Sequence, residues 1–242
     1  MCGRYGLVVG PLALADTFGS GDAERRKRLR ERLEALDPPL VPRFNAAPTT
    51  TGLILVRGEE GSLVPRYARW GLIPRWVKDP STFRATLFNA RSETVHEKPS
   101  FRDAFKMTRC IVPVSGFYEW TTSPDGGAKQ PYWIHRRDGA PFALAGLYAE
   151  NQAATPSTSF TVLTTRPAAL LASLHDREPV RVAPAIVERW LDPTRSDVAS
   201  LSDLLEPGDP RDLEAVPVSV RVNRPGVDEA TLLEPVGVPL RV

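Results

Sequence analysis

The chain is poor in the residues that build disulfide frameworks and metal sites. Its 242 residues include only 2 cysteines and 3 histidines. Two cysteines are too few to staple a chain of this length. The histidines, His96, His135 and His175, stand far apart and lack the spacing of zinc-binding motifs. We therefore expect no metal and no other cofactor.

Long apolar runs are also missing. No stretch approaches the ~20 uninterrupted apolar residues that a bilayer span needs. The first ten residues, MCGRYGLVVG, lack the charged region, long apolar core and cleavage site of a signal peptide. We therefore expect a cytoplasmic protein without membrane contact. Hydrophobic residues make up 42% and charged residues 25% of the chain, which is typical of one folded globular domain.

The net charge is only +2, but it is unevenly distributed. Residues 1–120 hold 19 Lys and Arg against 13 Asp and Glu, a balance of +6, so the remaining residues sum to −4. Arginine supplies most of the positive charge, and its planar guanidinium favours bidentate binding of phosphate or carboxylate groups. The charge pattern thus hints at an anionic partner without identifying it.

Short β-rich runs alternate with turns that contain many of the 24 prolines. Apolar and β-branched residues predict strands at 53–57, 109–114, 131–137, 142–149 and 159–165. The sequence SPDGG at 123–127 predicts a hairpin turn between the second and third of these strands. Because long helices do not regularly follow the strands, the sheet is predicted to be antiparallel.

Helices are predicted to be few and peripheral. Residues 23–36 form the clearest one, with an apolar stripe made of Leu29, Leu33 and Leu36. The arginines on its other face are more typical of a solvated helix surface than of a DNA contact. Proline at the first helical position predicts further helices from Pro167 to His175 and from Pro184 onward. An amphipathic turn or two is predicted over 197–205.

The N-terminus offers distinctive chemistry. Because the residue at position two is small, removal of Met1 is permitted and leaves Cys2 with a free α-amino group. An α-amino group has a pKa of ~7.7 to 8.0, well below the ~10.4 of lysine, so it can attack an aldehyde at neutral pH. The thiol can then close the imine into a five-membered thiazolidine. From the dipeptide alone, an incidental cysteine after the start codon is the better interpretation.

Six motifs occur in a characteristic order. They are MCGRY at 1–5, RFNAAPTT at 43–50, WGLIPRW at 70–76, FNARSET at 88–94, RCIVPVSGFYEW at 109–120 and SLHDREPV at 173–180. In this order and spacing they resemble the SOS-response-associated peptidase (SRAP) family of abasic-site-processing proteins. The resemblance extends over nearly the whole chain, as far as PVSVRVN at 217–223.

The resemblance implies a DNA-damage and repair protein of the SOS response that recognises abasic sites in single-stranded DNA. It implies a covalent crosslink between Cys2 and the ring-opened sugar, which shields the lesion. Asn89 resembles the family amide that holds the terminus and the sugar, Glu119 resembles the acid/base, and His175 resembles the residue that assists ring opening. A carboxylate and an imidazole suit these proton transfers. The family also implies hydrolase (autopeptidase) activity on Met1 and lyase-type chemistry.

The resemblance further implies a DNA-binding surface. Its predicted phosphate ligands are Arg4, Arg75 and Arg91, its predicted stacking residues are Trp70, Trp76 and Trp120, and Asn45 is expected to line the same pocket. Packing in the core is the alternative for Trp76 and Trp120. Glu178 departs from the family, which commonly has methionine or a basic residue there. We expect its carboxylate to add negative charge near the DNA, and either to raise the pKa of His175 or to face solvent.

We predict a single α+β domain over residues 1–242, with its core at about 2–225. The fold is expected to be a mainly antiparallel β-sheet curled into a barrel-like core, with a few peripheral helices. The expected partner is single-stranded DNA that contains abasic sites, bound by a monomer, and replication or repair proteins are further partners that the sequence does not identify. Cys110 is interpreted as a buried strand residue without a catalytic role.

Two other functions remain open from the residues alone. An N-terminal-nucleophile amidohydrolase, such as a glutamine amidotransferase, would also use Cys2, but it needs an αββα sandwich with more helices than we predict. A non-catalytic single-stranded-DNA-binding module would leave Cys2 without a role.

Overall fold

The computed structural model of the chain describes residues 2–19, 22–121 and 129–241. The strands in these residues are β1 (Tyr5–Leu7), β2 (Arg43–Ala46), β3 (Thr51–Arg57), β4 (Leu63–Trp70), β5 (Asn89–Arg91), β6 (Arg109–Val114), β7 (Gly116–Thr121), β8 (Gln130–Arg136), β9 (Phe142–Glu150), β10 (Thr158–Thr165), β11 (Glu178–Pro179), β12 (Arg181–Val182) and β13 (Leu213–Pro217). The α-helices are α1 (Pro11–Phe18), α2 (Ala23–Glu34), α3 (Arg102–Met107), α4 (Ala169–Ala172) and α5 (Val187–Leu191).

Five strands close into a β-barrel. Strand β3 pairs antiparallel with both β4 and β6, β6 pairs with β9, and β9 pairs with β10. Parallel pairing of β10 with β4, which sets Phe160 opposite Trp70, closes the ring. The prediction of an α+β fold with a curled, mainly antiparallel sheet is confirmed. The exceptions are the two parallel pairings of β10, with β4 and with β5.

A second sheet packs beside the barrel in the order β13-β8-β7-β1-β2, with antiparallel pairing throughout. Its central pairing, between β1 and β7, sets Gly6 opposite Gly116. A Cβ atom on Gly116 would lie 2.5 Å from Cζ2 of Trp133, so only glycine allows this close approach. The pairing brings the beginning of the chain, with Cys2, alongside β7, which carries Glu119.

Alternate residues of the barrel strands belong to two different cores. Leu53 and Leu55 of β3 pack in one cluster with Leu29 and Leu33 of α2, and helices α1 and α5 contribute to the same cluster. Since the helices lie outside the barrel, this face points outward. The intervening residues of β3 therefore point inward, where they share a second cluster with Cys2. Burying each large apolar side chain contributes about 1.5 to 3 kcal/mol.

The five predicted strands are all confirmed, with boundaries that shift by a few residues. The predicted helix at 23–36 is confirmed as α2, and the one from Pro184 as a short 3-10 turn followed by α5. The predicted turn at 123–127 lies outside the described residues. The strands on either side of it, β7 and β8, pair antiparallel, with Thr121 opposite Gln130.

Two helix predictions were wrong in extent. The segment from Pro167 to His175 forms only the four residues of α4, because the N–H groups of Leu174 and His175 both bond to the carbonyl of Leu171 and end the helix. Over 197–205 only a 3-10 turn forms, Ser202–Leu204. There the Asp197 carboxylate accepts the Ser200 N–H, and such local side-chain bonds compete with helix formation.

The closed barrel also excludes one of the alternative functions. An N-terminal-nucleophile amidohydrolase requires two stacked sheets between two helical layers, whereas here five strands close on themselves. That alternative is therefore wrong at the level of the fold. No helix among the described residues combines the length and apolar character needed to cross a membrane.

Candidate active site

Cys2 lies just before β1 and is buried in the cluster that fills the barrel. Its Sγ lies 3.9 Å from the carbonyl oxygen of Arg4. Burial, with a further contribution from the negative charge of Glu119, raises the pKa of the Cys2 thiol far above its ordinary value. The thiol is therefore protonated at neutral pH, in contrast to the thiolates of cysteine hydrolases.

Asn89 holds the backbone of Cys2. Strand β5, which begins at Asn89, runs parallel to β10 and pairs Asn89 with Val162. From this position the Asn89 Nδ2 donates a hydrogen bond of 2.7 Å to the carbonyl oxygen of Cys2. Its Oδ1 is buried and has no hydrogen-bond partner among the described residues, so it can accept a hydrogen bond from a ligand. Asn89 is thus not an ordinary turn residue.

Glu119 is a buried carboxyl group on β7, with only 3% of its surface exposed. Burial raises its pKa from 4.5 to about 7, and the negative charge of Asp176 acts in the same direction. The carboxyl group therefore exchanges its proton near neutral pH, as a general acid/base must. The pairing of β1 with β7 sets Glu119 alongside the start of the chain, and its negative charge contributes to the raised pKa of the Cys2 thiol.

His175 lies on the turn between α4 and β11. The backbone N–H of Arg177 donates to its Nδ1 at 3.0 Å, and Oδ1 of Asp176 lies 2.7 Å from the same nitrogen. A neutral ring cannot satisfy both, since the first contact needs a lone pair and the second a proton. We favour the backbone contact, because the Asp176 side chain is 86% exposed and free to turn away. The neutral imidazole then carries its proton on Nε2. Burial lowers the pKa of His175.

The four predicted catalytic residues thus come from four separate segments and converge. Asn89 bonds to Cys2, the charge of Glu119 acts on Cys2, and the charge of Asp176, next to His175, acts on Glu119. The arrangement offers a nucleophile, an amide and two proton-transfer groups in a largely apolar setting. Their catalytic roles remain predictions.

Comparison with known proteins identifies the family. A sequence model of the family "SOS response associated peptidase (SRAP)" matches residues 1–225. The chain belongs to the SRAP family. The resemblance carried by the six motifs is therefore confirmed.

The SRAP chain has relatives in bacteria and animals. It is 37% identical to the abasic site processing protein YoqW of Bacillus subtilis over 195 residues, which cover 80% of this chain and 86% of the relative. It is 27% identical to the abasic site processing protein HMCES of Gallus gallus over 276 aligned positions, which cover all of this chain and 80% of the relative. A crystal structure from Bacteroides thetaiotaomicron shares the fold, with a TM-score of 0.79 and 24% identity over 97% of this chain and 100% of that chain.

Several predicted DNA contacts of the SRAP domain are accessible. Arg75 and Arg91 are exposed. Trp76 is 58% exposed and packs its ring edge-to-face against Phe83, with 6.1 Å between the ring centroids. Trp120 is half-buried, and its indole N–H donates to Oδ1 of Asn223 at 2.8 Å. These four side chains stay candidates for DNA binding.

The prediction that Trp70 stacks on a base is wrong. Trp70 has 0% of its surface exposed and lies parallel to Phe160, with 6.2 Å between the ring centroids and 8° between the planes. Its Nε1 donates to the carbonyl of Phe88 at 2.8 Å. Trp70 is a core residue because its position on β4 points into the barrel, where the rings of Tyr5 and Phe160 pack against it.

Of two further predicted DNA contacts, Asn45 is committed to contacts within the protein, whereas the half-buried Arg4 stays a candidate. Asn45 is buried, its Nδ2 donates to the carbonyls of Val222, Arg224 and Val227, and its Oδ1 accepts from Arg4. Arg4 also donates to the carbonyl of Val222 at 2.8 Å. The two side chains therefore fasten the C-terminal segment to the start of the chain.

The expectation for Glu178 was also wrong. Its carboxylate is buried, with 1% of its surface exposed, and Oε2 accepts the Ala168 N–H at 2.7 Å. It therefore faces neither solvent nor DNA, and burial raises its pKa. The carboxylate instead ties β11 to the residue before α4. Cys110 is buried on β6, as predicted.

Sequence reasoning missed the pairing of Arg177 with Glu93. The two residues are 84 positions apart, yet Arg177 donates to both carboxylate oxygens of Glu93, at 2.6 and 2.9 Å. The only available signal was that each lies inside one of the six motifs, beside a predicted catalytic residue.

A separate cavity lies away from the predicted catalytic residues. It has a volume of about 400 Å³ and is lined by α2, the turn between β3 and β4, and the residues around Pro184. None of the four predicted catalytic residues lines it, and two of its arginines, Arg25 and Arg28, pair with carboxylates from the same walls. Among the residues that the structure describes, no group of three or more His, Cys, Asp or Glu could hold a metal ion.

Proposed function

We propose that this SRAP protein processes abasic sites in single-stranded DNA by linking itself covalently to the lesion through Cys2. The observation that carries the proposal is the placement of Cys2, whose carbonyl is held by Asn89 and which lies next to β1, the strand paired with the strand of Glu119, a buried carboxyl group with a pKa of about 7. The relatives YoqW and HMCES bear the name abasic site processing protein, which supports the same substrate.

The reaction begins with removal of Met1, which frees the α-amino group of Cys2. An abasic sugar is mostly a closed hemiacetal, so a proton must leave the anomeric hydroxyl and another must reach the ring oxygen before an aldehyde exists. Glu119 and His175 are the groups placed for this transfer. The amine then adds to the aldehyde carbon, and loss of one water molecule gives the imine.

The buried thiol completes the reaction. Its sulfur adds to the imine carbon while its proton passes to the imine nitrogen, which closes the thiazolidine ring without any oxidant. Because burial keeps the thiol protonated, the amine is the first nucleophile and the sulfur the second. Glu119 is the neighbouring group that can accept the thiol proton and return it to nitrogen.

DNA binding combines charge and stacking. The exposed Arg75 and Arg91 are suited to phosphates, and the accessible rings of Trp76 and Trp120 are suited to unpaired bases. Such contacts are tolerant of sequence, as expected for a protein that must meet a lesion in any context. We further propose that the protein binds DNA as a monomer in the nucleoid, which size-exclusion chromatography and localisation of a tagged protein would test.

The test is a crosslinking assay. Purified protein is incubated with a single-stranded oligonucleotide that contains one abasic site, and a band that survives denaturing electrophoresis is expected. Cys2→Ala should lose this band but keep reversible DNA binding, whereas Cys110→Ala is the matched control and should keep both. The intact mass should rise by the mass of the oligonucleotide minus one water, with attachment at Cys2. Attachment elsewhere, or no attachment, contradicts the proposal, and binding without attachment favours the non-catalytic module.

Two further activities follow from the same groups. We propose that release of Met1 is the peptidase reaction of this protein, and that strand cleavage at the lesion is its lyase reaction. Mass spectrometry of Glu119→Gln and wild-type protein made in the same cells tests the first, since the variant should retain more Met1 if Glu119 assists the cleavage. Equal processing in both would assign Met1 removal to another enzyme.

A further inference from the structure

The turn that carries His175 is held by the side chain of Arg177. This side chain is 13% exposed, and its two terminal nitrogens donate to the two oxygens of Glu93. The backbone N–H of the same residue donates to Nδ1 of His175. Arg177 therefore fixes the imidazole through its backbone and is itself fixed through its guanidinium.

The other end of this contact lies on the segment that holds Cys2. Glu93 follows Asn89 by four residues, and Asn89 donates to the carbonyl of Cys2. The carbonyl of Thr164, on β10, accepts both the backbone N–H of Ser92 and a terminal nitrogen of Arg177. The Glu93 carboxylate and the Thr164 carbonyl therefore join residues 89–93, which hold Cys2 through Asn89, to the turn that carries His175.

We propose that Glu93 is a positioning residue, which acts through Arg177 to hold the imidazole of His175 at a fixed place relative to Cys2. The inference rests on the proposed function, since it concerns the same crosslinking reaction. The Glu93 carboxylate bonds to both terminal nitrogens of Arg177, so we expect it to act on His175 through geometry.

The pair is built for orientation rather than for binding phosphate. A bidentate contact between a guanidinium and a carboxylate fixes both direction and distance, unlike a single ion pair. The hydrogen bond from Arg177 holds the pKa of Glu93 below its ordinary value, so the carboxylate stays ionised at neutral pH. Arg177 is thereby neutralised within the protein, whereas Arg91 is exposed and suited to the DNA backbone.

The test compares Glu93→Gln with Asp212→Asn. Asp212 bonds to Arg136 and Arg181, so its substitution also weakens a partly buried arginine contact, but one made by β8 and β12 rather than by the turn of His175. Crosslinking to abasic single-stranded DNA is measured under single-turnover conditions at increasing DNA concentration. For E93Q we expect a maximal rate roughly 10- to 100-fold lower, with a similar half-saturating concentration, because a displaced catalytic group slows the chemical step. D212N should keep the wild-type rate.

A second readout separates orientation from general loss of stability. The pKa of His175, followed by NMR titration of its ring proton, should rise toward its ordinary value in E93Q as the loosened turn becomes solvated. Asp176 and Lys129, the charged side chains that act on His175, are unchanged in this variant. In D212N the pKa of His175 should match that of the wild type.

Three outcomes overturn the inference or its basis. If wild-type protein forms no crosslink, the proposed function fails. If wild-type protein crosslinks and E93Q reacts at the same maximal rate with the same His175 pKa, Glu93 has no positioning role. If E93Q instead binds DNA more tightly and reacts normally once bound, Glu93 acts by masking a phosphate-binding arginine.

Discussion

Glu119→Gln should stabilise the protein at alkaline pH while it slows crosslinking. The pKa of Glu119 is raised by burial from 4.5 to about 7 in the folded protein, so its ionisation is disfavoured only in that state. The resulting destabilisation is absent below the unfolded value and complete above pH 7. At roughly 1.4 kcal/mol for each pKa unit, the full effect is about 3 kcal/mol, and the 3% exposure of the side chain leaves little room for screening by solvent.

The assay is urea denaturation, followed by tryptophan fluorescence, at about pH 5 and about pH 8. Glutamine cannot ionise, so the free energy of unfolding of E119Q relative to wild type should increase by about 2.5 kcal/mol between these pH values. Glu150→Gln, which removes a solvent-exposed carboxylate on β9, is measured alongside as the control variant. The crosslinking rate of the wild type should change with pH around pH 7. The rate of E119Q should lack this change.

A difference between E119Q and wild type that is the same at both pH values would refute the reasoning. It would mean that Glu119 titrates normally in the folded protein and is fully ionised at neutral pH. The acid/base role would then lose its physical basis, even if crosslinking through Cys2 were observed.

Other substitutions test the corrected assignments. Trp70→Ala should lower the free energy of unfolding by about 3 to 5 kcal/mol, as measured by denaturant titration, because it empties a buried site. Trp76→Ala should change stability by less than about 0.5 kcal/mol, yet weaken single-stranded DNA binding by about 1 to 3 kcal/mol in fluorescence anisotropy. Asn45→Ala should cost about 2 to 4 kcal/mol of stability, since three carbonyls lose a donor. Arg91→Ala should lower the slope of log affinity against log salt by about 0.7, and an unchanged slope would exclude a phosphate contact.

The barrel strands could be predicted because their chemistry is local. Runs such as 109–114 and 159–165 are rich in β-branched and apolar residues between turns, and both became strands. Helix lengths were harder to predict, because the residue at which a helix ends is set by specific backbone hydrogen bonds. Nothing in the pattern from Pro167 to His175 shows that two N–H groups will share the carbonyl of Leu171.

Only those site residues that lie in the sequence motifs could be predicted. The motifs singled out Cys2, Asn89, Glu119 and His175, and the structure brings these segments together. The motifs do not reveal whether a side chain will be buried or exposed. Trp70 and Trp76 are six residues apart in one motif, yet one fills the barrel and the other is exposed. That difference depends on closure of the barrel, which no local pattern encodes.

Burial is the common physical cause of the chemistry at this site. It keeps the Cys2 thiol protonated, raises the pKa of Glu119 and lowers the pKa of His175, so in each case it disfavours the charged form. Burial therefore leaves His175 as a neutral proton acceptor and gives Glu119 a pKa at which it can give or take a proton near neutrality. The apolar residues packed around Cys2, such as Tyr5 and Trp70, thus contribute to reactivity without touching the substrate. Any substitution that admits water to this cluster should return the pKa of Glu119 toward 4.5 and slow crosslinking, even where the four converging residues are intact.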